Sequence, residues 1–433
     1  MSDAAGIDRI GKYPVLRKLG EGATAEVFLC RDPFNERDVA VKRLFPETLR
    51  DPERGKLYRK LFFTEASLAG RIVHPHVVQI HDAVVEEDAG YIVMEYVPGG
   101  TLERYCDPAQ LLPVAKIVEI AFKCTRALAY AAAAGVIHRD IKPGNILYGQ
   151  SPTDIKISDF GLALASSLET TQISGIGSPA YMSPEQIRDE DVDLRTDIYS
   201  MGVVMYQLLT GVLPYQGSNN FSIIYQITNY DPPLPSSQRK DVPMAIDKIV
   251  RRAMQKDAGR RYQTWEEFSK DLTEAFRSDR AAMKVAEEFG DTDKFNALRA
   301  MAFFKRFSDA ELWELVGISE WERVAAGTVI MKEGDAGEFF CLVAGGSMKV
   351  TKGGKLLSTL GAGECFGEMA GLSETANVRG TTVTAAAESR VVRVKNADLE
   401  DASDALRRRF DRAFINLLVD RLNAANAKLA GAS

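Results

Sequence analysis

One octapeptide limits this chain more than any other feature in it. His138-Arg139-Asp140-Ile141-Lys142-Pro143-Gly144-Asn145 is followed, fourteen residues after Asn145, by Asp159-Phe160-Gly161. The two segments put a carboxylate, a cationic side chain and two oxygen donors for a metal on neighbouring loops. Phosphoryl transfer needs that set, because its loose transition state is stabilised mainly by positioning and charge neutralisation. In such chemistry Asp140 accepts the proton of the attacking hydroxyl and Lys142 steadies the charge on the transferring group. Asn145 and Asp159 hold Mg2+, for which Mn2+ can substitute. The specificity lies in the order and spacing of the whole set.

Further pieces appear in the matching order. Leu19-Gly20-Glu21-Gly22-Ala23-Thr24-Ala25-Glu26-Val27 lies between two apolar, strand-like runs. Its glycines let backbone N–H groups approach phosphates without side-chain obstruction. Ala25 stands where a third glycine is usual, and alone the segment reads equally well as a hairpin turn. Val39-Ala40-Val41-Lys42 reads as a strand ending in a lysine, and Glu65 follows in a segment with helical apolar spacing. Together these segments resemble a eukaryotic-like serine/threonine protein kinase over residues 13–276. The resemblance implies a two-lobed fold in which Leu19, Gly20, Gly22, Val27, Ala40, Lys42, Glu95, Val97 and Leu147 line an ATP site. It pairs Lys42 with Glu65 to orient the α- and β-phosphates. Met94 would guard the back pocket, and the backbone of Glu95 and Val97 would bond adenine. His74-Pro75-His76 suits the family's helix-to-strand joint better than a metal pair.

The same resemblance makes 162–181 an activation loop containing Thr170, Thr171, Ser174 and Ser178. Gly177-Ser178-Pro179-Ala180-Tyr181-Met182-Ser183-Pro184-Glu185 matches the serine/threonine form of its end, with Ser178 for threonine and Ser183 for alanine. Arg139, just before the base, suits a kinase whose loop is ordered by phosphate on Thr170 or Thr171. Asp197 is expected to brace the catalytic-loop backbone, and Arg261 to pair with Glu185. The alanine-rich stretch 115–134 reads as a scaffold helix.

Periodicity changes in the last third. Residues 277–306 read as helical and charged. Beyond Trp321, short β-like runs alternate with Gly327, Gly334, Gly345 and Gly346, the spacing of a barrel or jelly roll. From Asp404 to Lys428 the pattern returns to helix, with Leu406, Phe410, Phe414, Leu417 and Leu418 on one face. The run from Val329 to Gly346, followed by Phe366-Gly367-Glu368-Met369-Ala370 and Arg379-Gly380-Thr381-Thr382-Val383, resembles a cyclic-nucleotide-binding domain. The resemblance assigns Glu368 to the ribose 2′-hydroxyl and Arg379 to the cyclic phosphate, with Gly367, Thr381 and Thr382 completing the site. Glu368 and Arg379 stand eleven positions apart, wider than in many members, and Thr381 replaces a usual alanine. A barrel kept for dimerisation or docking is therefore the competing reading. Gly380 lacks the hydroxyl that often marks guanine preference, which leans the site to cyclic AMP over cyclic GMP.

Composition bounds the rest. With 433 residues, 45% hydrophobic, 26% charged and a net charge of -6, the chain has the size for several domains and no nucleic-acid footprint. Arg407-Arg408-Arg409 reads as one turn of a solvated helix. Five scattered cysteines have neither zinc-ligand nor disulfide-framework spacing. The N-terminal residues show no apolar signal core, and no apolar run is long enough to span a bilayer, so a cytoplasmic protein is expected. The expected fold class is α+β: a segment 1–12, a two-lobed kinase domain 13–276, a helical linker 277–306, and a β-jelly-roll cyclic-nucleotide-binding domain with flanking helices over 307–429. The leading functional expectation is an ATP-dependent kinase acting on protein serine or threonine and regulated in cis by cyclic nucleotide; homodimerisation stays open. The alternatives are an active kinase whose last domain binds no nucleotide, and a pseudokinase scaffold.

Overall fold

Strand alternation builds the first sheet. It is antiparallel and six-stranded, ordered β1-β2-β3-β4-β6-β5, from β1 (Arg9–Ile10), β2 (Tyr13–Glu21), β3 (Ala25–Asp32), β4 (Arg37–Leu44), β5 (Ile80–Val85) and β6 (Gly90–Glu95). In β4, Val39 and Val41 join Ile10, Tyr13, Phe28, Cys30 and Val93 in a buried cluster on one face. Ala40 and Lys42 must then point to the other face, because successive side chains alternate. On that second face Leu44 packs with Ala25, Leu49, Ile92 and Phe62, and Phe62 brings in the Gly55–Ala69 helix. The chain is seen here in a computed structural model that describes residues 7–22, 24–51, 55–85, 90–160, 179–278, 290–368 and 378–430. The side chains of 57, 61, 64, 65, 68, 69 and 424–430 lie outside the description. The described chain divides into two units, 1–286 and 287–433.

The helical part of the first unit is built on buried helices. Val114–Ala133 buries most of its residues, and the Leu194–Thr210 and Trp265–Ser278 helices pack against it. Leu194–Thr210 starts at Asp193, whose carboxylate accepts from the Arg195 N–H. It stops at Gly211, whose φ of +77° a side chain would resist. Its side chains are almost all buried, Asp197 included. A small sheet of β7 (Gly100–Thr101), β8 (Ile146–Tyr148) and β9 (Ile155–Ile157) lies between the loops that hold His138–Asn145 and Asp159. The His74–His76 segment joins it: Ile157 N–H donates to His76 O at 2.9 Å, and His76 Nδ1 lies 3.0 Å from Ile155 O. Burial pulls the His76 imidazole well below its usual pKa. These two histidines therefore act as packing groups at a strand joint.

The second unit contains two four-stranded antiparallel sheets. One is ordered β10 (Ser319–Val324), β17 (Ser389–Lys395), β12 (Phe339–Gly345), β15 (Cys365–Phe366). The other is β11 (Val329–Met331), β16 (Thr382–Ala385), β13 (Ser347–Lys352), β14 (Lys355–Gly361). Met331, Cys341, Val343, Met348, Phe366, Val383 and Val391 fill the space between them. This is the expected jelly roll, with β10 beginning slightly before the predicted change of period. Helices flank it: Asp291–Ala300, Asp309–Ile318, and Asp404–Ala430 at the end. The last docks through Phe410 and Phe414, whose rings lie 5.5 and 5.1 Å from that of Phe340 on β12. Among the described residues, no helix is long and apolar enough to cross a membrane.

The expected Arg261–Glu185 pair is present and doubly bonded, at 2.6 and 2.7 Å. The guanidinium is fully buried and also donates to the carbonyls of Gln255 and Arg195 at 2.7 and 2.9 Å. Arg261→Ala leaves the Glu185 carboxylate buried without its partner, a change that costs about 3–5 kcal/mol. Urea denaturation of the full chain is expected to show an earlier transition for the first unit, with the second unit's transition unmoved.

Candidate active site and candidate nucleotide barrel

The catalytic loop is shaped from beneath by one buried acid. Asp197 accepts the His138 N–H and the Arg139 N–H, both at 2.7 Å. Burial pushes its carboxyl pKa up, against the pull of those N–H groups and neighbouring charge. Arg139 is thereby held at φ +66°, a left-handed conformation that a side chain adopts only when its surroundings enforce it. His138 adds a second brace. Its Nδ1 accepts the Asp140 N–H at 3.2 Å, so Nε2 carries the proton and donates to Ser158 O at 2.8 Å. Its ring also packs on Phe160, with centroids 4.5 Å apart. The two motifs that the sequence separates are thus tied together through one imidazole.

Asp140 sits at the centre of the exposed side of this loop. Lys142 Nζ donates to its Oδ2 at 2.7 Å, and Asn145 Nδ2 donates to the same oxygen at 2.9 Å and to the Asp140 carbonyl at 2.8 Å. Asn145 therefore turns its amide nitrogen inward, and no hydrogen bond among the described residues uses its Oδ1. Asp159, at φ +62°, faces Lys42: Nζ to Oδ1 is 2.5 Å, and Ser158 Oγ donates to Oδ2 at 3.0 Å. Burial alone would raise the Asp159 carboxyl; the Lys42 ammonium and the Ser158 hydroxyl outweigh it and hold it well below the usual range. An ionised carboxylate and an amide oxygen are hard-oxygen donors that suit Mg2+ or Mn2+, so the donor chemistry of Asp159 and Asn145 fits the expected ion.

Strand register sets out the residues expected to line an ATP site. Gly20 pairs with Val27, and Val27 pairs with Lys42, so the three lie in one row across β2, β3 and β4. Ala40 pairs with Met94 on β6, next to Glu95. Leu147 lies on β8, and Leu19 on β2. Gly22 donates its N–H to Ala25 O at 2.8 Å, closing the turn after β2. Glu65 is on the Gly55–Ala69 helix, but its side chain lies outside the described residues, as do Thr170, Thr171, Ser174 and Ser178. Lys42 is seen paired with Asp159. Burial pulls the Arg139 guanidinium below its ordinary pKa, with Asp197 opposing.

In the barrel, Arg379 and Glu368 are both buried, and Arg379 bonds the carbonyl of Gly367, the residue next to Glu368. Gly367 has φ +84°, and a Cβ there would lie 2.7 Å from Met331 Sδ and 2.9 Å from Arg379 Nη1. Only glycine fits that turn. Arg379 donates to Gly367 O at 2.8 Å and to Phe339 O at 2.5 Å, and its guanidinium lies 4.7 Å from the Phe339 ring centre. Burial lowers its pKa from the ordinary arginine value. Thr382 Oγ1 accepts the Glu333 N–H at 3.0 Å. Thr381 immediately precedes β16, and residues 369–377 lie outside the description.

Several supporting residues escaped the sequence reading. Lys156 bridges Glu95 Oε2 at 3.0 Å and Pro75 O at 2.8 Å, anchoring the strand that leads to the hinge. Gln186 Nε2 donates to Arg139 O at 3.0 Å while its Oε1 accepts the Ser183 N–H, one half of a capping box. The capping box is legible as Ser183-Pro184-Glu185-Gln186, but the reach to Arg139 is not. Arg421 donates to Glu368 across 53 positions of sequence; no local pattern announces it.

Comparison with known proteins agrees with this geometry. A protein-family model, protein kinase domain, matches residues 13–274, and a second, cyclic nucleotide-binding domain, matches residues 321–405. The chain is 35% identical over 318 residues to the serine/threonine-protein kinase PrkC of Bacillus subtilis, covering 73% of this chain and 47% of the relative. It is 39% identical over 268 residues to the serine/threonine-protein kinase PknB of Mycobacterium leprae, covering 60% of this chain and 42% of the relative. The chain therefore spans less than half the length of these curated relatives.

The charge on Asp159 makes a prediction with a definite sign. Its folded-state pKa is depressed, so its ionised form stabilises the fold above the unfolded-state value of about 3.9. That contribution fades as pH falls toward the folded-state value. Asp159→Asn is expected to lower the denaturation midpoint by a constant amount above about pH 5 and by a shrinking amount below about pH 4. Midpoints measured across that range check it.

Proposed function

The chain belongs to the protein kinase family, and from that premise we propose that it transfers the γ-phosphoryl group of ATP to serine or threonine hydroxyls of protein substrates. The observation that carries the reading is the bonding of Asp140. Lys142 and Asn145 both bind its Oδ2, at 2.7 and 2.9 Å. No bond among the described residues uses Oδ1, the oxygen this reading gives to the proton of the attacking hydroxyl. Lys142 then stands beside the transferring group, where its charge opposes the negative charge that gathers there. Asn145 and Asp159 would hold the metal, which when bound neutralises the phosphate oxygens. Lys42 orients the α- and β-phosphates, with Glu65 as its helix partner. The Gly20–Gly22 turn covers the phosphates with backbone N–H groups. The filled set of Lys42, Glu65, Asp140, Asn145 and Asp159 speaks against a pseudokinase.

The same reading makes the barrel a sensor that regulates the kinase in cis through cyclic nucleotide. The domain match and the burial of Glu368 and Arg379 support it. Cyclic AMP is favoured, because Gly380 offers no hydroxyl next to Arg379. Regulation requires that nucleotide bind two states of the chain with different affinity. An assembly role for the barrel is the second reading. The observation on its side is that Arg379 spends two N–H groups on the carbonyls of Gly367 and Phe339. A cytoplasmic setting belongs to the proposal, since all five cysteines are free thiols.

Two experiments test these readings. Asp140→Asn removes the proton acceptor and is expected to lower the rate of phosphate transfer from labelled ATP by about 10²–10⁴-fold, with nucleotide binding largely kept. Undiminished turnover would refute the assignment of the base. Arg379→Ala leaves the cyclic phosphate without its guanidinium, a loss of about 2–5 kcal/mol, or at least about tenfold in affinity. Calorimetry with cyclic AMP and cyclic GMP reads it. No heat from the wild-type chain at millimolar nucleotide would favour the assembly role.

A further inference from the structure

The two carboxylate oxygens of Glu368 stand in different settings. Its side chain is 1% exposed. Oε1 accepts from Arg421 Nη1, while Oε2 is buried and has no partner among the described residues. Arg421 does not come from the barrel strands; it comes from the Asp404–Ala430 helix. The same guanidinium donates through Nη2 to Cys365 O, on β15, three residues before Glu368. One planar cation thus bridges the strand end and the carboxylate that follows it. Arg421 is seven residues after Phe414 and eleven after Phe410, so it lies on the face those aromatics dock against β12. A cavity of about 390 Å³ lies on this helix side, bordered by Phe340, Glu368, Leu399, Arg408 and Phe414.

A carboxylate offers acceptor sites on both oxygens. A buried oxygen left without a donor is unfavourable, and a hydroxyl presented by a ligand relieves it. We propose that Arg421 is a positioning residue for the sensor site: it holds Oε1 of Glu368 so that Oε2 is presented to the 2′-hydroxyl of a cyclic nucleotide. This inference rests on the reading of the barrel as a nucleotide site and adds to it a specific link to the C-terminal helix.

The test separates an effect through the ribose contact from a loss of structure. Full-length wild-type, Arg421→Gln and Arg421→Lys proteins are titrated with cyclic AMP and with 2′-deoxy cyclic AMP, which lacks the hydroxyl. The wild-type chain is expected to prefer cyclic AMP. Arg421→Gln is expected to weaken cyclic AMP at least about tenfold and 2′-deoxy cyclic AMP little, so that the preference collapses; that tenfold corresponds to about 1.4 kcal/mol. Arg421→Lys, which keeps the charge but not the two-pronged bridge, is expected to fall between. Equal weakening of both nucleotides, unchanged binding, or tighter binding in Arg421→Gln would each overturn the proposal. A wild-type chain that binds neither nucleotide at millimolar concentration would overturn the nucleotide reading itself, and this inference with it. Binding by the wild type with no effect of Arg421 would overturn this inference alone.

Discussion

The catalytic geometry of the first unit hangs from the buried carboxylate of Asp197. Two backbone N–H groups in succession, those of His138 and Arg139, converge on it at 2.7 Å. In an extended strand successive N–H groups point to opposite sides, so this convergence bends the chain, and the left-handed Arg139 is the bend. Removing the acid would leave both N–H groups without their acceptor in a buried site, which is unfavourable. The helix that holds Asp197 is itself fixed by its buried side chains, its Asp193 cap and its Gly211 stop. Through this chain of support, an ordinary scaffold helix determines where the Asp140 carboxylate stands.

From that point the site is organised by charge. Asp140 and Asp159 are each matched by one lysine, Lys142 at 2.7 Å and Lys42 at 2.5 Å. Neither pair is deeply sealed, which suits groups that must exchange partners when phosphates and metal arrive. The fully buried pair, Arg261 with Glu185, does the opposite work: both guanidinium edges are used, and the pair locks the segment after the activation loop to the helical part of the unit. Buried pairing gives a permanent joint, and half-exposed pairing leaves a site ready for ligand.

The second unit applies a similar division. Aromatic packing of Phe410 and Phe414 on Phe340 fixes the C-terminal helix against the barrel. The polar groups around Glu368 and Arg379 are held less completely. Arg379 is satisfied by carbonyl oxygens, and one oxygen of Glu368 has no partner among the described residues. An apolar anchor with an incompletely satisfied polar group is suited to a site whose ligand completes the bonding.

Much of this was legible in the residues themselves. The His138–Asn145 and Asp159 segments and the Lys42 strand could be named because each is a motif of fixed local spacing, whereas the Asp197 brace and the Arg261–Glu185 pair were expected only through the resemblance to protein kinases. The jelly roll was legible because glycine punctuation and period-two alternation are local properties of the chain. What the tertiary structure decided was partnership over long separations. Lys42 facing Asp159, Lys156 reaching Glu95 and Arg421 bonding Glu368 join positions 117, 61 and 53 residues apart. A lone lysine or arginine on a strand or helix has the same local pattern whether it meets water or a buried carboxylate. Only the packing of strands and helices fixes which, because desolvation and a partner's position are properties of the assembled fold and not of any stretch of sequence.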